Sequence, residues 1–393
     1  MVPARFFPSC RWLLGLLLSS VAAGSAGAAA GSDQGPAKFW VFVGTYTDGK
    51  SKGIYRMTLD PASGKLSQPE LAAVSSNPSF LAVHPTGKYL YAVNEGPGPG
   101  KGGGVTAFAL DAKTGALTKL NQESTVGDGP CHLVVDATGK NALIANYGGG
   151  SVAVLPIGSD GRLHRASDFI QHVGKVFDPK RQGTPHAHSI NLDKANRFAA
   201  VADLGLDRVF LYKFDPVHGK LTPNKPPFSK LKNRSGPRHF AFHPDGKHAY
   251  VINEIDCTVS AFDYDAERGT LTALQTIPTM PIPVEPRYST AEVVVHPSGK
   301  FLYGSNRGHD SLAVYAIAPG TGRLTLVEYE STQGETPRNF AVDPTGAFVL
   351  AENMGSGTVV VFKVNPETGE LEPTGQTVDI PAACCVKFVP IAP

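Results

Sequence analysis

The stretch GPRHFAFHPDGKHAYVINE, residues 236–254, is one of six copies of a single pattern, and that recurrence constrains the fold more than any other feature. The others are NPSFLAVHPTGKYLYAVNE ending at Glu95, GPCHLVVDATGKNALIANY at Tyr147, TPHAHSINLDKANRFAAVADL at Leu204, YSTAEVVVHPSGKFLYGSNR at Arg307 and TPRNFAVDPTGAFVLAENM at Met354, about fifty residues apart. In each, an alternating or wholly apolar run meets a turn of the His/Asp-Pro-x-Gly-Lys type, and a β-branched and aromatic run follows, which spells an antiparallel hairpin. A Gly-rich link, a third apolar run such as SVAVLPIG or DRVFLYKFD, a turn such as HGKL or ETGEL and a short fourth strand complete the unit. Helical periodicity is nearly absent. Four antiparallel strands per repeat predict an all-β fold, a seven-bladed β-propeller. The ends of the chain supply the last blade: KFWVFVGTYTDGKSKGIYRMTLDPASGKL lacks a first strand, and IPAACCVKFVP provides it. Pairing these N- and C-terminal segments closes the ring and hides both sheet edges. One propeller domain is expected over residues 38–393, without a composition break to suggest a second.

Residues 1–30 are expected to be a signal peptide. Arg5 and Arg11 form a basic start, an apolar run begins at Trp12, and small residues offer a cut near Ala28 or Ala30. The apolar stretch is too short and too rich in Gly and Ser for a spanning helix, and no later segment resembles one, so no membrane span is expected. Cys10 precedes the apolar run, which argues against a lipoprotein anchor. The expected location is periplasmic or secreted. Removing Arg5 and Arg11 from 36 Lys+Arg leaves 34 against 34 Asp+Glu. A neutral protein has no electrostatic claim on nucleic acid, and none is expected as a partner. The four remaining cysteines, Cys131, Cys257, Cys384 and Cys385, match no zinc spacing. Export allows a disulfide, while Cys384 and Cys385 also read as buried strand residues.

The first strand of each blade lines the central channel, so equivalent positions form rings. Aligned on the turn residues His84, Asp136, Asp193, His243, His296 and Asp343, the first ring reads Ser79, Cys131, His188, Arg238, Ala291, Arg338 and, in the closing blade, Ala382. The second reads Phe80, His132, Ser189, His239, Glu292, Asn339 and Ala383. At the end of the second strand, Asn94, Asn146, Asp203, Asn253, Asn306, Asn353 and Thr45 form a near-uniform ring, read as scaffold because Asn and Asp cap strand ends. The next position breaks the repeat: Glu95, Tyr147, Leu204, Glu254, Arg307, Met354, Tyr46. Because a hairpin sets the start of one strand beside the end of the next, Arg238 and Glu254 emerge together, with His188 from the preceding blade and Arg307 from the following one. Two guanidinium groups suit an anion, and a carboxylate with an imidazole suits proton transfer. Glu292 is read as a partner for Arg238 or Arg338. His84, His243 and His296 are read as turn residues. The pattern G-x-S-x-G is absent, which disfavours a serine hydrolase, and no Asp/Asn/Glu metal cluster is evident, so neither metal nor cofactor is expected.

The runs FVGTYT, PHAHSINLD, VADLGLDRVFLYKFD, GPRHFAFHPDGKHAYVINE, AEVVVHPSGKFLYGSNRGHDSLAVY and TPRNFAVDPTGAFVLAEN resemble the seven-bladed lactonase family, which includes the propeller-type 6-phosphogluconolactonase and the carboxymuconate lactonizing enzyme. The resemblance implies hydrolysis of a sugar lactone in carbohydrate metabolism without a required metal, and its proposed site carries over onto His188, Arg238, Glu254 and Arg307. His186, His239 and His309 lie in the same motifs and, with Arg338, are candidates for substrate binding or orientation. The partner implied is a small-molecule lactone; an unphosphorylated aldonolactone, or one bearing a carboxylate, fits an exported chain better than a phosphosugar. Two rival readings remain at this level: a cycloisomerase of the carboxymuconate type, and a non-catalytic exported propeller that binds a polysaccharide or protein. Oligomeric state is not legible. The insertions VGKVFDPKRQGTP and TIPTMPIPVEPRYS are candidate lids or contacts.

Overall fold

Every regular element among the described residues is a strand, and the strands form seven antiparallel sheets. The computed structural model describes Met1, residues 38–96 and residues 102–392. The expected signal peptide and its cut near Ala28 or Ala30 lie outside the described residues. Among the described residues no helix is long and apolar enough to cross a membrane.

Six blades follow the repeats, with inner strands Leu81–Val83, Pro130–Val135, Ala187–Leu192, Pro237–Phe242, Ser289–Val295 and Pro337–Val342. These are blades 2 to 7 in chain order. In blade 1 the inner strand is Ala383–Pro390, which pairs antiparallel with Phe39–Thr45 from the other end of the chain. The ring therefore closes as expected, with the outer edge of that blade broken into Lys65–Leu66 and Glu70–Val74.

The hydrophobic core sits between blades. Leu143, Val152 and Val154 of blade 3 pack with Ile190, Val201 and Tyr212 of blade 4, and Val41, Val43 and Val386 of blade 1 pack with Leu350, Val359 and Val361 of blade 7. Strand alternation sends one face of each sheet to each neighbour, which is why the middle strands are apolar on both faces. Burying each such side chain contributes about 1.5–3 kcal/mol. The turn histidines tie blades together: Nε2 of His84 meets Gly139 O at 2.9 Å, and Nε2 of His296 meets Gly346 O at 2.8 Å. The Asn ring also serves the scaffold, Asn306 Nδ2 donating to Thr279 O (2.6 Å) and Asn353 Nδ2 to Thr332 O (2.9 Å).

One feature of the inner strands places the site. Near the channel mouth the pairing slips: Pro237 faces Asn253 while His239 faces Ile252, so Arg238 is an extra residue, a β-bulge. The same slip isolates Cys131, His188 and Arg338. A bulge re-aims its side chain and lets two consecutive residues face one side, which brings both Arg238 and His239 to the channel. The closing blade corrects the alignment. There Thr45 faces Ala383 and Gly44 faces Cys385, so the ring residue is Cys384, two positions beyond Ala382, and the second-ring residue is Cys385 rather than Ala383. Cys131, Cys257, Cys384 and Cys385 are all buried and free.

Candidate active site

Glu254 leaves the second strand of blade 5 beside the Arg238 bulge, and its carboxylate gathers three guanidinium groups. Oε2 is 3.0 Å from Arg238 Nε and 2.8 Å from Arg307 Nη2, while Oε1 accepts from Arg181 Nη2. Arg238 is fixed from its other side by donating Nη1 to Ala291 O at 2.7 Å, and Arg307 donates Nη2 to Thr290 O at 2.7 Å. Burial pushes the Glu254 carboxyl up, but Arg307, Arg238 and Arg181 outweigh it and hold the pKa below the ordinary value, so the group is ionised at neutral pH. Burial pushes Arg238 down to about 10, which leaves it charged.

Arg181 lies outside every ring of the repeat. It belongs to the insertion at residues 173–185, which has no counterpart in the other repeats, and its side chain is half exposed. The signal was there in outline: the insertion carries the pair Lys180 and Arg181. Both insertions border one open pocket of about 740 Å³, in which Lys180 and Arg181 face Tyr288 and Ser289, with Glu254 and Arg307 also in its wall. That volume accommodates a small ligand.

His188, Arg238 and Arg338 meet at a second, narrow cavity together with Ser79, Glu95 and Cys131. Burial, together with Arg238 and His239, pushes the His188 pKa well below the ordinary imidazole value, so the ring is neutral at pH 7. Its Nδ1 lies 3.7 Å from Cys131 Sγ, and its ring meets Tyr147 at 5.1 Å and His239 at 5.3 Å. Thus Glu254, Arg238 and Arg307 are in direct contact, and His188 shares a cavity with Arg238.

The remaining candidates scatter. His239 lies one layer deeper and bonds Glu292 Oε1 at 2.7 Å. Glu292 takes Asn339 as its other partner, so it pairs with neither Arg238 nor Arg338 as expected; it occupies the deeper ring, in which His239 and Asn339 are its neighbours. Arg338 turns to blade 1 and donates to Tyr46 Oη at 2.7 Å, while the Tyr46 hydroxyl donates to Glu95 at 2.9 Å. Ser79 also bonds Glu95, forming a separate polar group across the mouth. His186 stacks on Tyr147 at 4.5 Å and reaches Tyr147 O at 2.9 Å, at the rim. His309 bonds Ser311 and lies near Tyr288, away from the carboxylate.

A cluster of guanidinium groups can hold a negatively charged ligand and stabilise an oxyanion, and a neutral imidazole, here in the cavity that Arg238 also lines, can accept a proton from water. The family model described as Lactonase, 7-bladed beta-propeller matches residues 40–388. The 6-phosphogluconolactonase of Bacillus subtilis is 37% identical over 352 residues, covering 90% of this chain and 99% of its own. That of Formosa agariphila is 35% identical over 77% of this chain and 86% of its own. Among solved structures, the periplasmic gluconolactonase of Pseudomonas aeruginosa superposes with a TM-score of 0.85 at 33% identity, covering 90% of this chain and all of that one.

Proposed function

The chain belongs to the seven-bladed β-propeller lactonase family and is a lactone hydrolase of carbohydrate metabolism, and from that premise we propose how its residues divide the reaction. Hydrolysis is the one of the three sequence-level readings that the activity named for these relatives supports. The observation that carries the mechanism is the Glu254 carboxylate clamped by Arg238, Arg307 and Arg181 at the pocket wall, with Arg238 reaching from that carboxylate to the narrow cavity that holds the neutral His188.

Glu254, ionised and saturated with guanidinium donors, is a weak base. It holds the arginines in fixed orientation and lines the pocket beside the substrate. His188, kept uncharged, takes the proton from the attacking water. As the water oxygen bonds the lactone carbonyl carbon, Arg238 and Arg307 stabilise the oxyanion without reorganising, because each guanidinium is already held, Arg238 between Glu254 and Ala291 O and Arg307 between Glu254 and Thr290 O. The ring C–O bond then breaks, and the His188 imidazolium returns the proton to the leaving alkoxide. Arg181, half exposed and bonded only to the outer carboxylate oxygen, is placed to leave Glu254 for an anionic substituent of the substrate.

Hydrolysis of glucono-1,5-lactone and its 6-phosphate in a pH-stat, above the spontaneous rate, tests this. Wild type should turn over at least one of them, and Glu254→Gln, which leaves buried Arg238 and Arg307 without their shared carboxylate, should lose about a hundredfold or more in kcat and also unfold at a lower temperature. Full activity in Glu254→Gln would remove the carboxylate from the mechanism. Export is part of the proposal: the basic start and apolar run at residues 1–30 support it, as does the periplasmic location named for the Pseudomonas aeruginosa relative. Cell fractionation and N-terminal sequencing should find the protein outside the cytoplasm and cut near Ala28 or Ala30; an uncut cytoplasmic chain would refute it. The domain is accordingly proposed to span residues 38–393.

A further inference from the structure

The other end of the blade 5 hairpin carries a second cluster. In the turn HPDGKH, His243, Asp245 and His248 bring three potential ligand atoms within 4.8 Å of one another. The repeat supplies its own control. At the position of Asp245 the other blades have Thr86, Thr138, Ala195, Ser298 and Thr345; at that of His248 they have Tyr89, Asn141, Phe198, Phe301 and Phe348. Both positions change to metal-ligating side chains in the same turn, and that turn already begins with a histidine.

The hydrogen bonds show why the change matters. His243 Nε2 faces Gly299 O at 2.8 Å, and a carbonyl can only accept, so Nε2 carries the hydrogen. The Asp245 backbone N–H donates to Nδ1 at 3.1 Å, so that atom carries no hydrogen and its lone pair faces the turn. In blades 2 and 6 the same ring nitrogen meets a hydroxyl, Thr86 Oγ1 or Ser298 Oγ, at 2.8 Å, and the hydroxyl can donate. In blade 5 it meets Asp245 Oδ1 at 2.9 Å, and a carboxylate cannot donate. Asp245 Oδ2 is 2.7 Å from His248 Nδ1, and Oδ1 also accepts from the backbone N–H groups of Lys247 and His248. The carboxylate and two ring nitrogens thus meet in one turn, and a cation taking the place of the hydrogen that His248 Nδ1 donates to Asp245 finds three ligand atoms there.

We propose that His243 Nδ1, the Asp245 carboxylate and His248 Nδ1 form a binding site for a divalent transition-metal ion, separate from the lactonase pocket. A cation at that point converts the confrontation between ring nitrogen and carboxylate into coordination. Two imidazoles and one carboxylate select zinc, cobalt, nickel or copper over magnesium or calcium. Three protein ligands leave room for water, and Asp245 is partly exposed, which gives the ion an entry path. The outer nitrogen of His243 already has the kind of partner that orients a metal-binding histidine, Gly299 O at 2.8 Å, while the Asp263 carboxylate lies 3.7 Å from His248 Nε2 without a hydrogen bond.

Cobalt(II) titrated into the purified protein, followed by visible absorption and calorimetry with zinc(II) as competitor, tests the site. One equivalent should bind and be displaced by zinc. Asp245→Ser and His248→Phe install side chains that other blades carry at these positions, and Phe can cover Gly322 as Phe301 covers Gly369, so both variants should fold and keep lactonase activity. Each should lose the equivalent of cobalt. Failure of wild type to bind one equivalent, or its retention in both variants, would overturn the assignment.

Discussion

Single side chains set the chemistry, and their ionisation gives it a direction in pH. Burial first, then Arg238 and His239, depress the folded pKa of His188, so the proposed base stays deprotonated below the usual imidazole range. The expected kcat/KM profile therefore shows no fall with a midpoint near 6.5 as pH drops from 8; a titration there would mean that His188 is not in this environment during catalysis. Stability has the same sign. Below pH 6.5 the unfolded chain takes up protons that folded His132, His188 and His239 refuse, all three being lowered by burial foremost. This lowers the unfolding temperature as pH falls, until the folded groups protonate too. Glu352 has the opposite sign. It is fully buried, neither carboxylate oxygen has a partner, and burial with the nearby Glu292 raises its pKa well above the ordinary value. Its stabilising share is complete below pH 4.5 and is lost as pH rises towards the folded pKa. Glu352→Gln should therefore gain stability relative to wild type progressively between pH 5 and 8 in urea titrations; parallel pH curves for the two proteins would contradict a protonated Glu352.

Elements decide where those side chains point. The bulge at Arg238 puts two consecutive residues on the channel side, which strict alternation along a strand forbids. The insertion at residues 173–185 acts as one wall of the pocket through Arg181. Arg181→Ala is expected to raise KM for an anionic lactone about tenfold, an effect of roughly 1.4 kcal/mol that matches one lost charge-assisted contact, while KM for neutral glucono-1,5-lactone changes little. Steady-state kinetics on the pair of substrates measures this directly, and equal changes for both would place Arg181 in the scaffold. The hairpins and their turn chemistry were fully legible in the sequence; the role of the insertion was not, because it has no repeat partner against which its residues could be aligned.

The whole molecule depends on closure. Blade 1 joins Ala383–Pro390 to Phe39–Thr45, and its apolar face completes the core shared with blade 7. A chain ending at Pro381 would expose the edge of Phe39–Thr45 and the faces of blades 1 and 7 at once. It is expected to aggregate or to lose the single cooperative thermal transition of the full chain; calorimetry and light scattering decide, and an unchanged transition would show that closure is dispensable.

The sequence by itself determined the all-β class, the blade count, the closing pair of segments and the grouping of Arg238, Glu254 and Arg307, because these follow from a fifty-residue period and the two-residue alternation of strands. Tertiary structure alone decided the docking of Arg181 on Glu254, the turning of Glu292 to His239 and Asn339, and the replacement of Ala382 by Cys384 in the ring. Each of these depends on contacts between blades or on a one-residue bulge. A bulge leaves no periodic trace in the sequence, and a contact between blades joins residues whose separation no local pattern encodes.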